Sequence, residues 1–189
     1  MYVVTLQNSI MLDRLFEGGD LVYPLPFLNR FNWNRKEMKA RDIYFKKYNE
    51  FHKTDYKNFF WAFTNIIGDE GRPLDITRMN KELLELMCSK IGINENAYSD
   101  YYYVLLEVPD DFILETDFYD YTDSIFDIEL YSFTDELFNV NKDKRDIQGI
   151  IPYIRHEWLI TTSCIDKVFD EAYGYVPISF KEIKEGRYV

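Results

Sequence analysis

A chain of 189 residues is long enough to bury a sizeable core within one domain. An aromatic content of 18%, with 16 Tyr and 15 Phe, excludes a disordered segment. The formal net charge is −11, unevenly spread. Residues 1–60 carry 10 Lys/Arg against 7 Asp/Glu, whereas residues 91–141 carry 13 acidic residues and no Lys or Arg. Such asymmetry implies one surface for an anionic partner and another that repels it or meets a basic protein. Cys88 and Cys164 are too few and too far apart for a disulfide scaffold or a zinc site, and His52 and His156 add too little for a Cys/His cluster, so no metal is expected. No apolar run approaches the roughly 20 residues that cross a membrane. The first residues lack the basic-then-apolar pattern of a signal peptide, and a cytoplasmic location without membrane contact is expected.

Taken in order, Tyr2 to Leu6 predicts a first strand. Asn8 or Ser9 can cap a helix through Phe16, ended by Gly18-Gly19. Pro24 and Pro26 make Leu21 to Phe31 extended loop or edge strand. From a cap at Asn34, a helix over about Arg35 to Phe51 turns Ala40, Tyr44, Tyr48 and Phe51 to one side and Lys36, Lys39, Lys46 and Lys47 to the other. Residues 29–57 hold nine basic and four acidic residues among Phe31, Trp33, Tyr44, Phe45 and Tyr48. That mixture suits a single-stranded nucleic acid, and equally an amphipathic helix whose aromatics are core. Asp55 predicts the start of a second helix, DYKNFFWAFTNII, closed by Gly68, with Trp61 off its main stripe. Asn80 caps a third, KELLELMCSKI, ended by Gly92.

Tyr101 to Val108 is apolar enough for a central strand. Pro109-Asp110-Asp111 turns the chain into a further strand over Phe112 to Phe118. Tyr119 to Phe138 has weak helical periodicity, Lys142 to Asp146 is a charged loop, and Cys164 to Phe169 is a short turn or strand. The tail from Tyr173 reads as an edge strand or loose end. Strands at both ends with helices near the front define an α+β class.

The most apolar long stretch is Asp146 to Thr162, DIQGIIPYIRHEWLITT, with the carboxylate of Glu157 inside it. Strand alternation after Arg155 sends Trp158, Ile160 and Thr162 one way and Arg155, Glu157 and Leu159 the other. A carboxylate on such a strand must be paired, here with Arg155 or a nearby Lys, or must face a cleft. A phosphate-binding glycine loop, a GxSxG elbow, HExxH and the kinase motifs are all absent. A Cys–His nucleophile would need one of the two cysteines to meet His52 or His156 in space.

Thr5-Leu6-Gln7, the helix after it and Gly18 thirteen residues on resemble the opening of an uncharacterised bacterial and phage domain family. The similarity continues through FFWAF (59–63), LLEVPDDFILETDF (105–118) and IQGIIPYIRHEWLI (147–160). More distantly, the opening and the ending resemble ADP-ribosyltransferases of the DNA-modifying toxin type, which begin with a strand, a Thr, a helix and a Gly and end on a strand bearing a catalytic Glu. Thr5 and Gly18 match the first part, Glu157-Trp158-Leu159-Ile160 the second. The resemblance implies NAD as substrate and Glu157 as the catalytic carboxylate. It places Thr5 or Gln7 on the nicotinamide ribose, with Trp61 packed on the nicotinamide. Neutral nicotinamide leaves from a cationic ring, so one carboxylate that steadies an oxocarbenium-like ribose is enough.

Two departures stand against it. Val3 falls where that superfamily carries His or Arg, and Arg155 falls where protein-modifying members often carry Glu or Gln. Arg155 suits a phosphate, so a nucleic acid acceptor held by Arg155, Lys46 and Lys47 is the expectation within this reading.

Two readings follow. One is an ADP-ribosyltransferase-like toxin or defence effector, with the Thr5 strand beside the Glu157 strand in a strongly bent or split, mostly antiparallel sheet. The other is a non-enzymatic acidic module, such as a phage or toxin–antitoxin inhibitor, presenting residues 91–141 to a basic partner or antitoxin.

Overall fold

The structure, a computed structural model, describes residues 1–17, 20–25, 35–126, 135–169 and 178–179. The expected helix stop at Gly18-Gly19, the cap at Asn34, and the loop over Pro26 to Phe31 lie outside the described residues.

Strand β1 (Tyr2–Asn8) lies at the centre because its side chains are apolar towards both faces. Val3 packs into one core with Leu106, Trp158 and Leu159, while Val4 and Leu6 pack into another with Phe63, Leu83 and Met87. Helix α1 (Ser9–Glu17) follows directly, with Asn8 Oδ1 accepting the Met11 amide at 3.0 Å. β2 (Leu21–Val22) pairs with β7 (Ile154–Arg155) in a separate two-stranded ribbon. Helix α2 (Arg35–His52) buries Ala40, Tyr44, Phe45 and Tyr48. Phe51, expected on that buried side, is 73% exposed.

The predicted second helix is instead a strand, β3 (Phe60–Asn65). Both of its faces are covered because they meet different cores: Phe60 and Ala62 face the Val3 core, and Phe63 faces the Val4 core. A strand covered on both sides has the same unbroken apolar pattern as a buried helix, and aromatic and β-branched content favours the strand. Helix α3 (Lys81–Ile91) is as expected, with Asn80 Oδ1 accepting the Leu83 amide at 2.9 Å and Gly92 left-handed at φ 74°.

β4 (Tyr101–Glu107), β5 (Leu114–Asp117), β6 (Ile147–Ile151), β8 (Leu159–Cys164) and β9 (Ile178–Ser179) complete a seven-stranded sheet in the order β5-β6-β3-β1-β4-β8-β9, antiparallel at each described pairing. Helices α4 (Phe118–Phe126) and α5 (Asp166–Phe169) are short. The α+β class and mostly antiparallel sheet hold. β1 runs against β4 along Tyr2 to Asn8, yet shares with β3 the single paired position Val4–Phe63. The sheet therefore narrows to a seam between a β5-β6-β3 block and a β1-β4-β8-β9 block.

A buried ion pair ties the first block to its helices. Lys90 Nζ of α3 meets Asp146 Oδ2 at 2.6 Å, with side chains 9% and 4% exposed. Burial works against the Lys90 charge, but hydrogen bonds to Asp146 and Tyr119 outweigh it and its pKa is raised. Removing one partner leaves the other charge buried and uncompensated. Lys90→Ala is expected to cost about 3 kcal/mol in urea denaturation, and the Lys90→Met/Asp146→Leu double variant less than the single one.

Candidate functional site

Thr5 lies at the seam and is buried. Its Oγ1 donates to the Trp61 carbonyl oxygen at 2.6 Å and accepts from Gln7 Nε2 at 2.7 Å. This chain of bonds bridges β1 to β3 where regular pairing stops. Three of the residues expected to bind NAD thus come together, but only through the Trp61 backbone. Thr5 and Gln7 alternate with Val4 and Leu6, so they face the Val3 side of the sheet. The Trp61 ring alternates with Phe60 and Ala62 and faces the other side. There it packs among Tyr44, Phe45 and Tyr121, with centroids 5.4, 6.3 and 5.2 Å away. A nicotinamide on the Thr5–Gln7 side would not meet that ring.

Glu157 is not on a strand. His156 to Trp158 form a 3₁₀ turn between β7 and β8, and the Glu157 side chain is 69% exposed, 3.5 Å from Arg155 Nη1. The expected neighbouring of the Thr5 and Glu157 strands is also corrected, since β4 lies between β1 and β8. Two strand spacings separate those axes by about 10 Å. Along the strands, Thr5 is level with Val104 and Thr162, five residues past Glu157. Glu157 and the Thr5–Gln7 pair are therefore not neighbours across the sheet. β8 is irregular besides: Leu106 pairs with Leu159 and Leu105 with Thr161, which turns Ile160 outward and Leu159 inward, the reverse of simple alternation.

The residues expected to bind an acceptor are engaged separately. Lys46 pairs with Glu50 at 3.5 Å, one turn along α2, Lys47 is half-buried, and Arg155 stands on β7, where it pairs with Glu157. The outer side of α2 borders an open groove of about 550 Å³ lined by Lys46, Lys53 and Lys57 but also by Asp42, Glu50 and Asp55. Equal numbers of opposite charges make it a poor track for phosphates. Both thiols are pushed up to about 11 by burial, so neither Cys88 nor Cys164 is an activated nucleophile. Among the described residues no group of three or more His, Cys, Asp or Glu is placed to hold a metal, and no helix is long and apolar enough to cross a membrane.

Among the described residues the acidic run forms no single face. Glu95 and Asp100 stand before β4, and Glu107, Asp110 and Asp111 stand at its far end or just past it, about 20 Å away by strand rise. Glu115 meets Lys142 at 2.6 Å, and Asp117 and Asp120 meet Arg145 at 3.6 and 3.9 Å, so loop 142–145 neutralises the middle of the run. Nor is the basic stretch kept apart from it. Tyr44 and Tyr48 of α2 donate to the carbonyl oxygens of Leu114 at 2.6 Å and Phe112 at 3.0 Å. The basic helix is seated on the acidic segment through neutral hydroxyls.

Sequence reasoning passed over a cluster at the sheet end beyond β4. Tyr153 and Trp158 are stacked at 5.7 Å and 16°, and Phe112 meets both edge-on at 4.8 Å. Tyr23 and Tyr56 stand edge-on to Tyr153 at 5.7 and 6.0 Å. The Arg155 guanidinium lies 5.8 Å from the centroids of both Tyr153 and Trp158. Its only signal was the run YIRHEW, in which an Arg is flanked by aromatics two and three residues away. The chain matches no family model, no curated protein and no solved structure.

Thr5→Val removes the donor to Trp61 and the acceptor for Gln7 inside the protein. It is expected to cost about 1–2 kcal/mol of stability. Glu157→Gln should leave the denaturation midpoint unchanged, because the exposed pair with Arg155 is screened by solvent.

Proposed function

We propose that this chain is a non-enzymatic binding module that meets a basic partner, in the manner of an inhibitor. The observation that carries this reading is the charge at the sheet end beyond β4. Asp20, Glu107, Asp110, Asp111 and Glu157 are all exposed there. Among the described residues the cations that act on these carboxylates include Arg155, the amino group of Met1, which pairs with Asp110 at 2.8 Å, and Lys142, fewer than the carboxylates. Backbone bonds draw these residues together: the Val108 amide donates to the Met1 carbonyl at 2.9 Å and the His156 amide to the Asp20 carbonyl at 3.2 Å. Exposed carboxylates left in excess attract a cationic surface and hasten its approach.

ADP-ribosyl transfer from NAD to a nucleic acid is the second reading, favoured by the Thr5–Gln7 bond at the seam. In this structure Thr5 and Gln7 could offer a hydroxyl and an amide to a ribose, whereas Glu157 stands on the turn before β8, away from them.

The two readings part in one experiment. The protein is titrated with a fluorescent Lys/Arg-rich peptide at low and moderate salt, and separately incubated with labelled NAD and pools of DNA, RNA and protein. Peptide binding that weakens by about tenfold or more as salt rises, with no label transferred, is expected. Label transferred to any pool, and lost in Gln7→Ala, would overturn the binding-module reading in favour of the transferase.

A further inference from the structure

The aromatic cluster around Arg155 is built by segments far apart in sequence. Tyr23 follows β2, Tyr56 precedes β3, Phe112 follows β4, Tyr153 joins β6 to β7, and Trp158 closes the turn before β8. Trp158 is buried and forms the floor, Tyr56, Phe112 and Tyr153 are half-buried, and Tyr23 is 47% exposed with Leu21 beside it at 38%. Core packing accounts for the floor. It does not account for tyrosines left half open beside exposed carboxylates, an arrangement in which ring faces and negative charge are offered together.

The protein already shows which chemistry these rings take. The guanidinium of its own Arg155 lies over Tyr153 and Trp158 at equal distances of 5.8 Å, bonds the Tyr153 hydroxyl and ion-pairs with Glu157 at 3.5 Å. That is recognition of a planar cation by an aromatic face and a carboxylate at once. Tyr23 stands on the same cluster, and Asp20, Asp111 and Glu157 stand exposed around it. A nucleic acid would find rings to stack on but carboxylates where its phosphates must lie. A lysine-rich segment would satisfy the charges but gain less from the rings, because an ammonium is compact and strongly hydrated.

We propose that the ledge formed by Tyr23, Tyr153 and Tyr56, with Asp20, Asp111 and Glu157 at its rim, is the docking surface for an arginine-bearing segment of a partner protein. The guanidinium groups of that segment stack on Tyr23 and the open sides of Tyr56 and Tyr153 and pair with the rim carboxylates, repeating the arrangement of Arg155. This rests on the binding-module reading above and names the partner's chemistry and the place where it binds. Tyr, Trp and Arg are the residues most enriched where interfaces concentrate their binding energy.

The test measures binding of two labelled peptides of equal charge, one arginine-rich and one lysine-rich, to the whole chain by fluorescence anisotropy. Three variants are compared, each checked for an unchanged circular dichroism spectrum and melting midpoint. Tyr23→Ala removes the exposed ring, and Asp111→Asn/Glu157→Gln neutralises the rim without loss of volume. Glu95→Gln/Asp100→Asn neutralises two acids at the opposite end of β4. The arginine peptide is expected to bind more tightly than the lysine peptide. Tyr23→Ala and the rim variant should each weaken it by about five- to tenfold, with the distant pair near wild type.

Loss of binding in the distant pair alone would overturn the location while leaving the module reading intact. Equal affinity for both peptides with Tyr23→Ala silent would overturn the role of the rings. Binding to neither peptide would overturn the ledge and the module reading together. Tighter binding of a single-stranded oligonucleotide that Tyr23→Ala abolishes, or self-association that it abolishes, would assign the ledge to a nucleic acid or to a second copy and overturn the proposal.

Discussion

The fold depends on a carboxylate placed where four segments must meet. Asp146 precedes β6, and its two oxygens and its carbonyl are all engaged. Oδ1 accepts the Ile67 amide at the exit of β3 (2.7 Å), Oδ2 takes the Lys90 ammonium from α3 (2.6 Å), and the carbonyl accepts the Phe118 amide at the start of α4 (2.9 Å). Lys90 adds ring contacts to Phe118 and Tyr119 at 5.1 and 5.0 Å. A charge this buried persists only when its partners are in place, so the junction admits one arrangement of β3, α3, α4 and β6. The Asn65 side-chain amide extends the junction by donating to the carbonyl oxygens of Lys142 and Arg145 at 2.7 Å each. That loop in turn carries the two cations that neutralise Glu115 and Asp117.

This geometry explains which parts of the chain were legible. Helices with polar caps announced themselves, because Asn8 and Asn80 satisfy amides within three residues of themselves, and local bonds leave local marks. The β3 segment misled because covering from both sides erases the two-residue period that would separate a strand from a helix. The stretch from Asp146 to Thr162 misled in a different way. Its apolar residues belong to three strands, β6, β7 and β8, which sit in different places: β6 beside β3, β7 in the small ribbon, and β8 across the sheet. Continuity of hydrophobicity hid two turns, one at Pro152-Tyr153 and one at His156 to Trp158.

The expected adjacency of the Thr5 and Glu157 strands missed for a related reason. Polar residues on apolar strands invite a catalytic interpretation, yet Thr5 has a structural one. β1 and β3 pair regularly only at Val4–Phe63, and the backbone oxygen of Trp61 next to that position needs a donor. The Thr5 hydroxyl supplies it, and Gln7 satisfies the hydroxyl in turn. Glu157 sits in a turn, where a carboxylate costs little because water reaches it. Neither residue's polarity requires a substrate to explain it, and only the spatial order of strands, absent from any local pattern, could have told them apart.

Charge obeys the same logic. Thirteen acidic residues in a row without a counter-charge look like one surface when written as a line, but a strand of seven residues carries its two ends to opposite sides of the molecule. The part of the run folded along β5 and α4 is offset by Lys142 and Arg145, which come from outside it in sequence. What survives as unbalanced negative charge is set by what folds next to it. At the end of β4, Asp110 and Asp111 gain Asp20 and Glu157 as neighbours, two residues from parts of the chain with no such run. The aromatic rings assembled there by the same turns give that charge a shape, and a surface that offers rings and carboxylates together discriminates among cations in a way that net charge alone does not.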